Sequence, residues 1–155
     1  MQLTEHFTLA ELVASAKARE LGIDNTPTPE AVARLRATAE VLERIRATLG
    51  GVPVTVTSGY RCPEHNRAVG GAKQSRHLLG HAADIVIKGL SVSGMYELAE
   101  QVAAFRKGGI GVYPERGFIH VDIREGRTRW GHLDGKYVSF EEAMKTNGGD
   151  RNAAV

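Results

Sequence analysis

The sequence has little cysteine and lacks long apolar runs and a basic leader. Its single cysteine, Cys62, has no partner for a disulfide within the chain, so stability must come from packing or from a bound metal. No run of about 18 apolar residues occurs, and we therefore expect no membrane span. The first residues lack the basic head and apolar stretch of a secretory signal, so we expect none in this chain.

A basic stripe interleaved with aromatic residues, an internal repeat and a linker-like segment are also missing. We therefore expect no nucleic-acid partner and a single domain over residues 1–155. The core is expected over about residues 5–146, with a flexible polar tail over 147–155. The 42% hydrophobic and 25% charged residues are ordinary for a globular domain, and a net charge of +2 indicates no particular partner.

Helical spacing of apolar residues predicts a helix over 7–21 that ends at Gly22. Thr28 and Pro29 suit the cap and first turn of a longer helix, which Gly50 and Gly51 terminate. Further helices are predicted over 63–69, over 95–105, and after Ser139, where Glu142 completes a capping box.

Alternating or continuous apolar stretches predict four strands, over residues 52–57, 82–87, 110–113 and 118–123. The segment 114–117 joins the last two as a hairpin. This order predicts an α+β fold, a small antiparallel sheet with helices packed on one face. We expect a groove on the other face.

Two imidazoles and one carboxylate form the most informative feature of the chain. His77 and Asp84 lie close in sequence, with Gly80 and the small Ala82 between them, and His120 follows in a predicted strand. Two close ligands and one distant ligand are common in catalytic zinc sites, where three protein groups leave a fourth position for water. The pattern predicts a metal site and a hydrolase.

The segment Ser75-x-His77-x-x-Gly80-x-Ala82-x-Asp84 resembles the signature of the zinc D-alanyl-D-alanine carboxypeptidases and related peptidoglycan peptidases. That superfamily also includes lysostaphin-type enzymes and the hedgehog signalling domain. Weaker similarities to members of this family occur in the same order along the chain as in those proteins. They cover residues 7–12, 58–61, 66–72, 111–114 and 118–124. Together the resemblance covers roughly residues 5–131, and it is closest to phage-type or murein endopeptidase-like members.

By this resemblance, His77, Asp84 and His120 would hold one zinc ion per chain. Arg61 would bind substrate or polarise the scissile carbonyl, since a planar, permanently charged donor suits a carboxylate or an oxyanion; a salt bridge with an internal acid is the alternative. Ser75 and Arg124 are also expected to contact substrate, although Ser75 suits a turn equally well. Trp130 could line the cleft, but a lone tryptophan is more often in the core.

The catalytic base is less clear, because the chain departs from the family at the positions that usually supply it. Relatives carry an acidic residue three or six positions before the last histidine, or a histidine two before it; here those positions hold Gly117, Pro114 and Phe118. Asp122 shares a strand face with His120, and is either the base or an orienting partner of a ligand histidine. Glu115 could reach the metal from the hairpin turn, but a solvated turn residue is the preferred interpretation.

The resemblance implies a zinc metallopeptidase that hydrolyses peptidoglycan stem peptides or cross-links, as a D,D-carboxypeptidase or an endopeptidase. The alternative is a hedgehog-like, zinc-containing cell-wall-binding module without turnover. We expect peptidoglycan peptides as partners, no membrane partner, a monomer, and action on the cell wall. Phage-type release, as for an endolysin, or a truncated secretory signal would bring it there. The sequence leaves open which bond is cut and whether the source is phage or host.

Overall fold

The computed structural model describes residues 1–145. The helices are α1 (Leu9–Val13), α2 (Ala16–Leu21), α3 (Pro29–Thr48), α4 (Pro63–Ala68), α5 (Val92–Glu100), α6 (Ala103–Arg106) and α7 (Phe140–Lys145), with a 3₁₀ turn at Arg76–Leu78. The strands are β1 (Thr55–Ser58), β2 (Ala82–Val86), β3 (Gly109–Tyr113), β4 (Phe118–Asp122), β5 (Thr128–Leu133) and β6 (Lys136–Val138). Of these described helices, none is long and apolar enough to cross a membrane.

The strands form one sheet in the order β1-β2-β4-β3-β5-β6. Every neighbouring pair is antiparallel except β3 and β5, which are parallel. The predicted α+β class, with a mainly antiparallel sheet, is confirmed. The four predicted strands supply β1 to β4, and β2 and β4 are direct neighbours inside the sheet.

The central strands separate an apolar face from a polar face. Ile85, Ile119 and Val121 are fully buried and belong to the core that the helices cover. Residues that alternate with them, such as Asp84 and His120, point to the other side, because successive strand residues face opposite ways. The groove therefore lies on the sheet face opposite the core.

The helix predicted over residues 7–21 is in fact two helices, α1 and α2. The carbonyl of Leu12 accepts a hydrogen bond from the backbone N–H of Tyr60, and that of Val13 accepts one from the Asn25 amide. These carbonyls are therefore satisfied by distant residues and do not continue the helix. Ser15 then caps α2 by accepting from the N–H of Ala18.

Two other boundaries differ from the prediction. Strand β1 begins at Thr55 rather than at residue 52, in keeping with Pro53, which has no N–H to offer a neighbouring strand. The helix predicted over 95–105 is split into α5 and α6 by an extended backbone at Val102. The caps at Thr28 and Ser139 are as predicted, and the tail predicted over 147–155 lies outside the described residues.

Strands β5 and β6 were not predicted. They carry arginine, histidine and threonine, so they lack the apolar signal of a strand. The Asp134-Gly135 pair that joins them is a strong hairpin signal, and both residues have positive φ angles, 52° and 72°. This hairpin extends the sheet beyond β3 and builds one side of the groove.

Candidate metal centre

Three side chains converge above the centre of the sheet. Asp84 on β2 and His120 on β4 are direct partners in the antiparallel register, so the strand pairing itself brings them together. His77 comes from the 3₁₀ turn that precedes β2. Ser75 caps that turn, with its hydroxyl accepting from the N–H of His77 at 3.2 Å. The three side chains are almost fully buried.

The three candidate ligand atoms form a nearly equilateral triangle. Asp84 Oδ1 lies 3.2 Å from His77 Nε2 and 3.2 Å from His120 Nδ1, and the two nitrogens are 3.3 Å apart. In a tetrahedral zinc site with bonds of ~2.0–2.1 Å, neighbouring ligand atoms are roughly 3.3–3.4 Å apart. The triangle therefore fits one face of such a site, with the fourth position open to the groove.

The remaining nitrogen of each imidazole is held by a hydrogen bond. His77 Nδ1 lies 2.6 Å from the carbonyl oxygen of Gly59, which can only accept, so Nδ1 carries the proton. His120 Nε2 lies 2.7 Å from Asp122 Oδ2 and donates to that carboxylate. With these contacts in place, His77 Nε2 and His120 Nδ1 are the nitrogens that would offer their lone pairs to a metal ion.

The acid–base behaviour of the three groups reflects their mutual contacts. Burial raises the pKa of Asp84, but the charges and hydrogen bonds of His77 and His120 outweigh it, and the net pKa is far below the usual range. Burial lowers the pKa of His77. Burial would also lower the pKa of His120, but Asp122 and Asp84 together raise it. Asp84 is therefore ionised at neutral pH and available as an anionic ligand.

Asp122 lies behind His120 rather than in the groove. Its side chain is fully buried, and its carboxylate accepts from Gly109 N, Arg124 N, Arg124 Nε and Nη2, and His120 Nε2. Burial works to raise its pKa, but the hydrogen bonds from His120 and Arg124 bring the pKa far below its ordinary value. With five donors and no route to the open side of the site, this carboxylate can orient His120.

Arg61 lies beside the three candidate ligands. Its Nε donates to Ser58 Oγ at 3.2 Å, Nη1 to Asn66 Oδ1 at 3.1 Å, and Nη2 lies 3.4 Å from Asp84 Oδ2. The salt bridge to an internal acid, the alternative that the sequence left open, is therefore present, and the substrate contact stays a prediction. Since a guanidinium has five N–H bonds, two remain for another acceptor.

The ligand triangle opens into a groove of about 940 Å³. One wall consists of the start of α2, the end of α4 and the loop before His77. The other consists of the β3–β4 turn, β5 and β6, and it contributes Tyr113, Phe118, Trp130, His132 and Tyr137. Ser75 and Arg124 also line the groove. Among the described residues that line it, Asp84 is the one carboxylate.

Trp130 lies in the groove rather than in the core. Its ring is 4.9 Å from that of His120, and its Nε1 donates to Tyr113 Oη at 3.4 Å. A Cβ on Gly111 would come within 2.3 Å of the Trp130 ring, so only glycine allows the indole to cover this strand beside His120. Trp130 and His132 are two residues apart on β5 and so lie on the same face of the strand. This spacing is the sequence signal that could have indicated the groove wall, provided that β5 had been predicted as a strand.

Glu115 does not reach the centre. Its Oε1 accepts from the backbone N–H of Asp134 at 2.7 Å, in the turn between β5 and β6. That contact turns the carboxylate away from the groove. Cys62 caps α4, with its sulfur accepting from the N–H of His65, and is only half-buried.

These features agree with the comparisons to known proteins. The profile of the Peptidase M15 family matches residues 5–122, which include all three candidate ligands. The chain belongs to the Peptidase M15 family. The family resemblance seen in the ten-residue signature is thereby confirmed.

Curated relatives match shorter segments. The peptidoglycan L,D-endopeptidase MepK of Escherichia coli K12 is 37% identical over 92 residues, 56% of this chain and 49% of that protein. The zinc D-Ala-D-Ala carboxypeptidase of Streptomyces albus G is 42% identical over 59 residues, 38% of this chain and 22% of that enzyme. The probable MepK of Haemophilus influenzae is 36% identical over 91 residues, 54% of this chain and 47% of that protein. The chain spans about half the length, or less, of these relatives.

Proposed function

We propose that the chain is a zinc-dependent peptidase that hydrolyses amide bonds in peptidoglycan peptides and acts on the cell wall. The observation that carries the proposal is the ligand triangle of His77, Asp84 and His120 at the base of a wide groove. Family membership and the names of the relatives, a peptidoglycan endopeptidase and a zinc carboxypeptidase, support it.

The three groups suit one zinc ion per chain. Two imidazole nitrogens and a carboxylate oxygen, 3.2–3.3 Å apart, match its preferred ligands and geometry. When bound there, zinc would supply a Lewis acid and a water activated for attack on a carbonyl carbon. The open side of the triangle faces the groove, so a peptide in the groove would place its amide against that side.

Two groups of the chain are placed to bind the carbonyl oxygen of that amide. Arg61 retains two N–H bonds, and Tyr113 lines the same groove, where its hydroxyl accepts from Trp130 and is also hydrogen-bonded to Tyr137. A substrate carbonyl would take the place of Tyr137 as the acceptor of the Tyr113 O–H. Burial raises the pKa of Tyr113 to about 12, so the hydroxyl stays protonated at neutral pH. Donors that face a developing negative charge stabilise the transition state.

Asp122 is assigned to positioning rather than to the base. Its carboxylate holds the proton of His120 Nε2 and is enclosed by Arg124 and Gly109. We assign Ser75 to support of the His77 turn, with its groove-lining position leaving it in reach of a substrate. We also propose that the protein acts as a monomer.

Mass spectrometry of purified muropeptides tests the proposal and identifies the bond. The zinc-loaded protein should convert them to smaller products, and a chelator or His77→Ala should abolish the conversion. Loss of one terminal alanine would identify a D,D-carboxypeptidase, whereas cleavage within stems or of cross-linked dimers would identify an endopeptidase. Muropeptides that bind but stay intact would contradict the peptidase and support a hedgehog-like binding module.

A further inference from the structure

The groove has a marked excess of positive charge. Five basic side chains line it, and Asp84, a candidate zinc ligand, is the one carboxylate among the described lining residues. The basic residues are Lys17, Arg61, Arg76, Arg116 and Arg124. A groove lined by one sign of charge concentrates ligands of the opposite sign.

Most of these cations already have partners. Arg61 pairs with Asp84, Arg124 with Asp122, and Lys17 lies 3.9 Å from Glu20. Arg76 donates to the carbonyl of Gln74. Arg116 differs, because its guanidinium has no acidic or hydrogen-bonding partner among residues 1–145.

Arg116 is nevertheless held in place. Its guanidinium carbon lies 5.1 Å from the centroid of the Phe118 ring, a cation–π contact that leaves the N–H edges available. The Phe118 ring is itself stacked on Tyr113 at 4.3 Å. Phe118 lies two residues before His120 on β4, and Arg116, although exposed, lines the same groove as His120.

The turn that carries Arg116 also keeps the neighbouring Glu115 carboxylate away from the groove. The N–H groups of Arg116 and Gly117 both donate to the carbonyl of Tyr113, and Gly117 adopts a φ of 75°, which favours glycine. Glu115 is bonded to the N–H of Asp134 on the outer side. The turn therefore directs a cation into the groove and an anion away from it.

We propose that Arg116 binds a free carboxylate of the substrate, at a position other than the amide that is cleaved. The proposal rests on the proposed function and names the substrate class, an acidic peptide whose carboxyl group is not amidated. A guanidinium presents paired N–H bonds that match a carboxylate, and such charge-assisted bonds are stronger than neutral ones. Arg116 is thus a specificity-determining residue of the groove.

The test compares two muropeptides that differ only in whether a side-chain carboxyl of the stem is free or converted to the amide. Zinc-loaded wild-type protein should prefer the free acid by about 10- to 100-fold in kcat/KM, mostly through KM. Arg116→Gln should lose this preference by weakening the free acid alone, while the amidated peptide is processed as before. Arg116→Lys should keep part of it, since the charge remains without the paired geometry.

Arg44→Gln is the matched control. Arg44 is exposed on α3, far from the groove lining, so the same change of charge should leave the preference intact. Equal kcat/KM values for the two peptides with wild-type protein, or an unchanged preference in Arg116→Gln, would overturn the proposal.

Calorimetric binding of the same two peptides separates this inference from the proposed function. If neither peptide is cleaved but the free acid still binds about 10-fold more tightly, and Arg116→Gln removes that difference, the Arg116 site stands and the peptidase does not. If both peptides are cleaved and bound equally, the result supports the peptidase function and contradicts the carboxylate site at Arg116.

Discussion

His120 Nε2 lies 2.7 Å from Asp122 Oδ2, on the side of the imidazole that faces away from the ligand triangle. The two residues are separated by one position on β4, and strand alternation places both on the groove face. The hydrogen bond between them nevertheless directs the Asp122 carboxylate to Nε2, the imidazole nitrogen that lies away from Asp84 and His77. Asp122 therefore keeps the proton of neutral His120 on Nε2.

Asp122→Asn should weaken zinc binding by ~10–100-fold, because an amide holds the Nε2 proton less strongly than a carboxylate does. Competition with a chelating dye measures this affinity. If Asp122 were the general base, the variant would instead keep its zinc and lose ~10²–10⁴-fold in kcat. Asp134→Asn is the control, since this exposed turn aspartate lies outside the groove and asparagine also tolerates its positive φ.

His77→Ala should abolish stoichiometric zinc binding, whereas His81→Ala should not. Both histidines belong to the same ten-residue signature, but only His77 reaches Asp84 and His120. Elemental analysis after purification without chelator gives the zinc content. Wild-type zinc content in His77→Ala, or loss of zinc in His81→Ala, would contradict the assigned ligand set.

Tyr113→Phe should lower kcat with little change in zinc content or KM, if its hydroxyl donates to the carbonyl oxygen in the transition state. Removing one such donor typically costs ~10²–10³-fold. Because the pKa of Tyr113 is about 12, deprotonation of this hydroxyl should not limit the rate between pH 6 and ~10. Tyr96→Phe, which removes a tyrosine hydroxyl outside the groove lining, should leave kcat unchanged.

Gly111→Ala should destabilise the protein by about 1–3 kcal/mol, because its methyl group would overlap the Trp130 ring. In a Trp130→Ala background the same substitution should cost much less, since the overlapping ring is gone. Urea unfolding of the four proteins in this double-mutant cycle measures the coupling. If the changes in the free energy of unfolding from the two substitutions simply add, the position of the Trp130 ring does not depend on glycine at residue 111.

Glu100→Gln should lower the free energy of unfolding at neutral pH, and the difference from wild type should shrink in acid. Hydrogen bonds, first from Arg127 and also from Tyr96 and Arg129, lower the pKa of Glu100 to about 2 from an ordinary value of 4.5. The folded protein therefore binds this proton less readily than the unfolded chain, so the stabilisation is complete above about pH 5 and disappears as the pH falls towards 2. Chemical unfolding at several pH values measures this, and a constant difference between pH 7 and 3 would contradict it.

The cluster of His77, Asp84 and His120 could be anticipated from sequence because its residues lie in short, recognisable patterns. His77 and Asp84 fall within one signature, and His120 sits in a strand with a clear apolar alternation. The core strands and the cap at Thr28 were predictable for the same reason, since their signals are local. The structure adds the register that places Asp84 opposite His120.

The groove wall and the helix break could not be anticipated in the same way. Strand β5 carries polar residues because one face lines a groove, and this hides the apolar alternation expected of a strand. The break between α1 and α2 depends on a bond from Tyr60 to Leu12, which only the folded chain creates. The role of Asp122 likewise depends on which nitrogen of the His120 ring its carboxylate contacts, and the sequence does not give this.

The central position of the β2–β4 pair has a consequence for how such a protein can change. Asp84 and His120 are fixed by the backbone hydrogen bonds between their strands, whereas many residues of the groove walls come from a hairpin turn, a peripheral hairpin and a loop. Replacement of the outer segments can redirect selectivity while the inner ladder stays intact. For protein engineering, the peripheral turns 114–117 and 134–135 are therefore the places to introduce diversity, and the two inner strands are the part to leave unchanged.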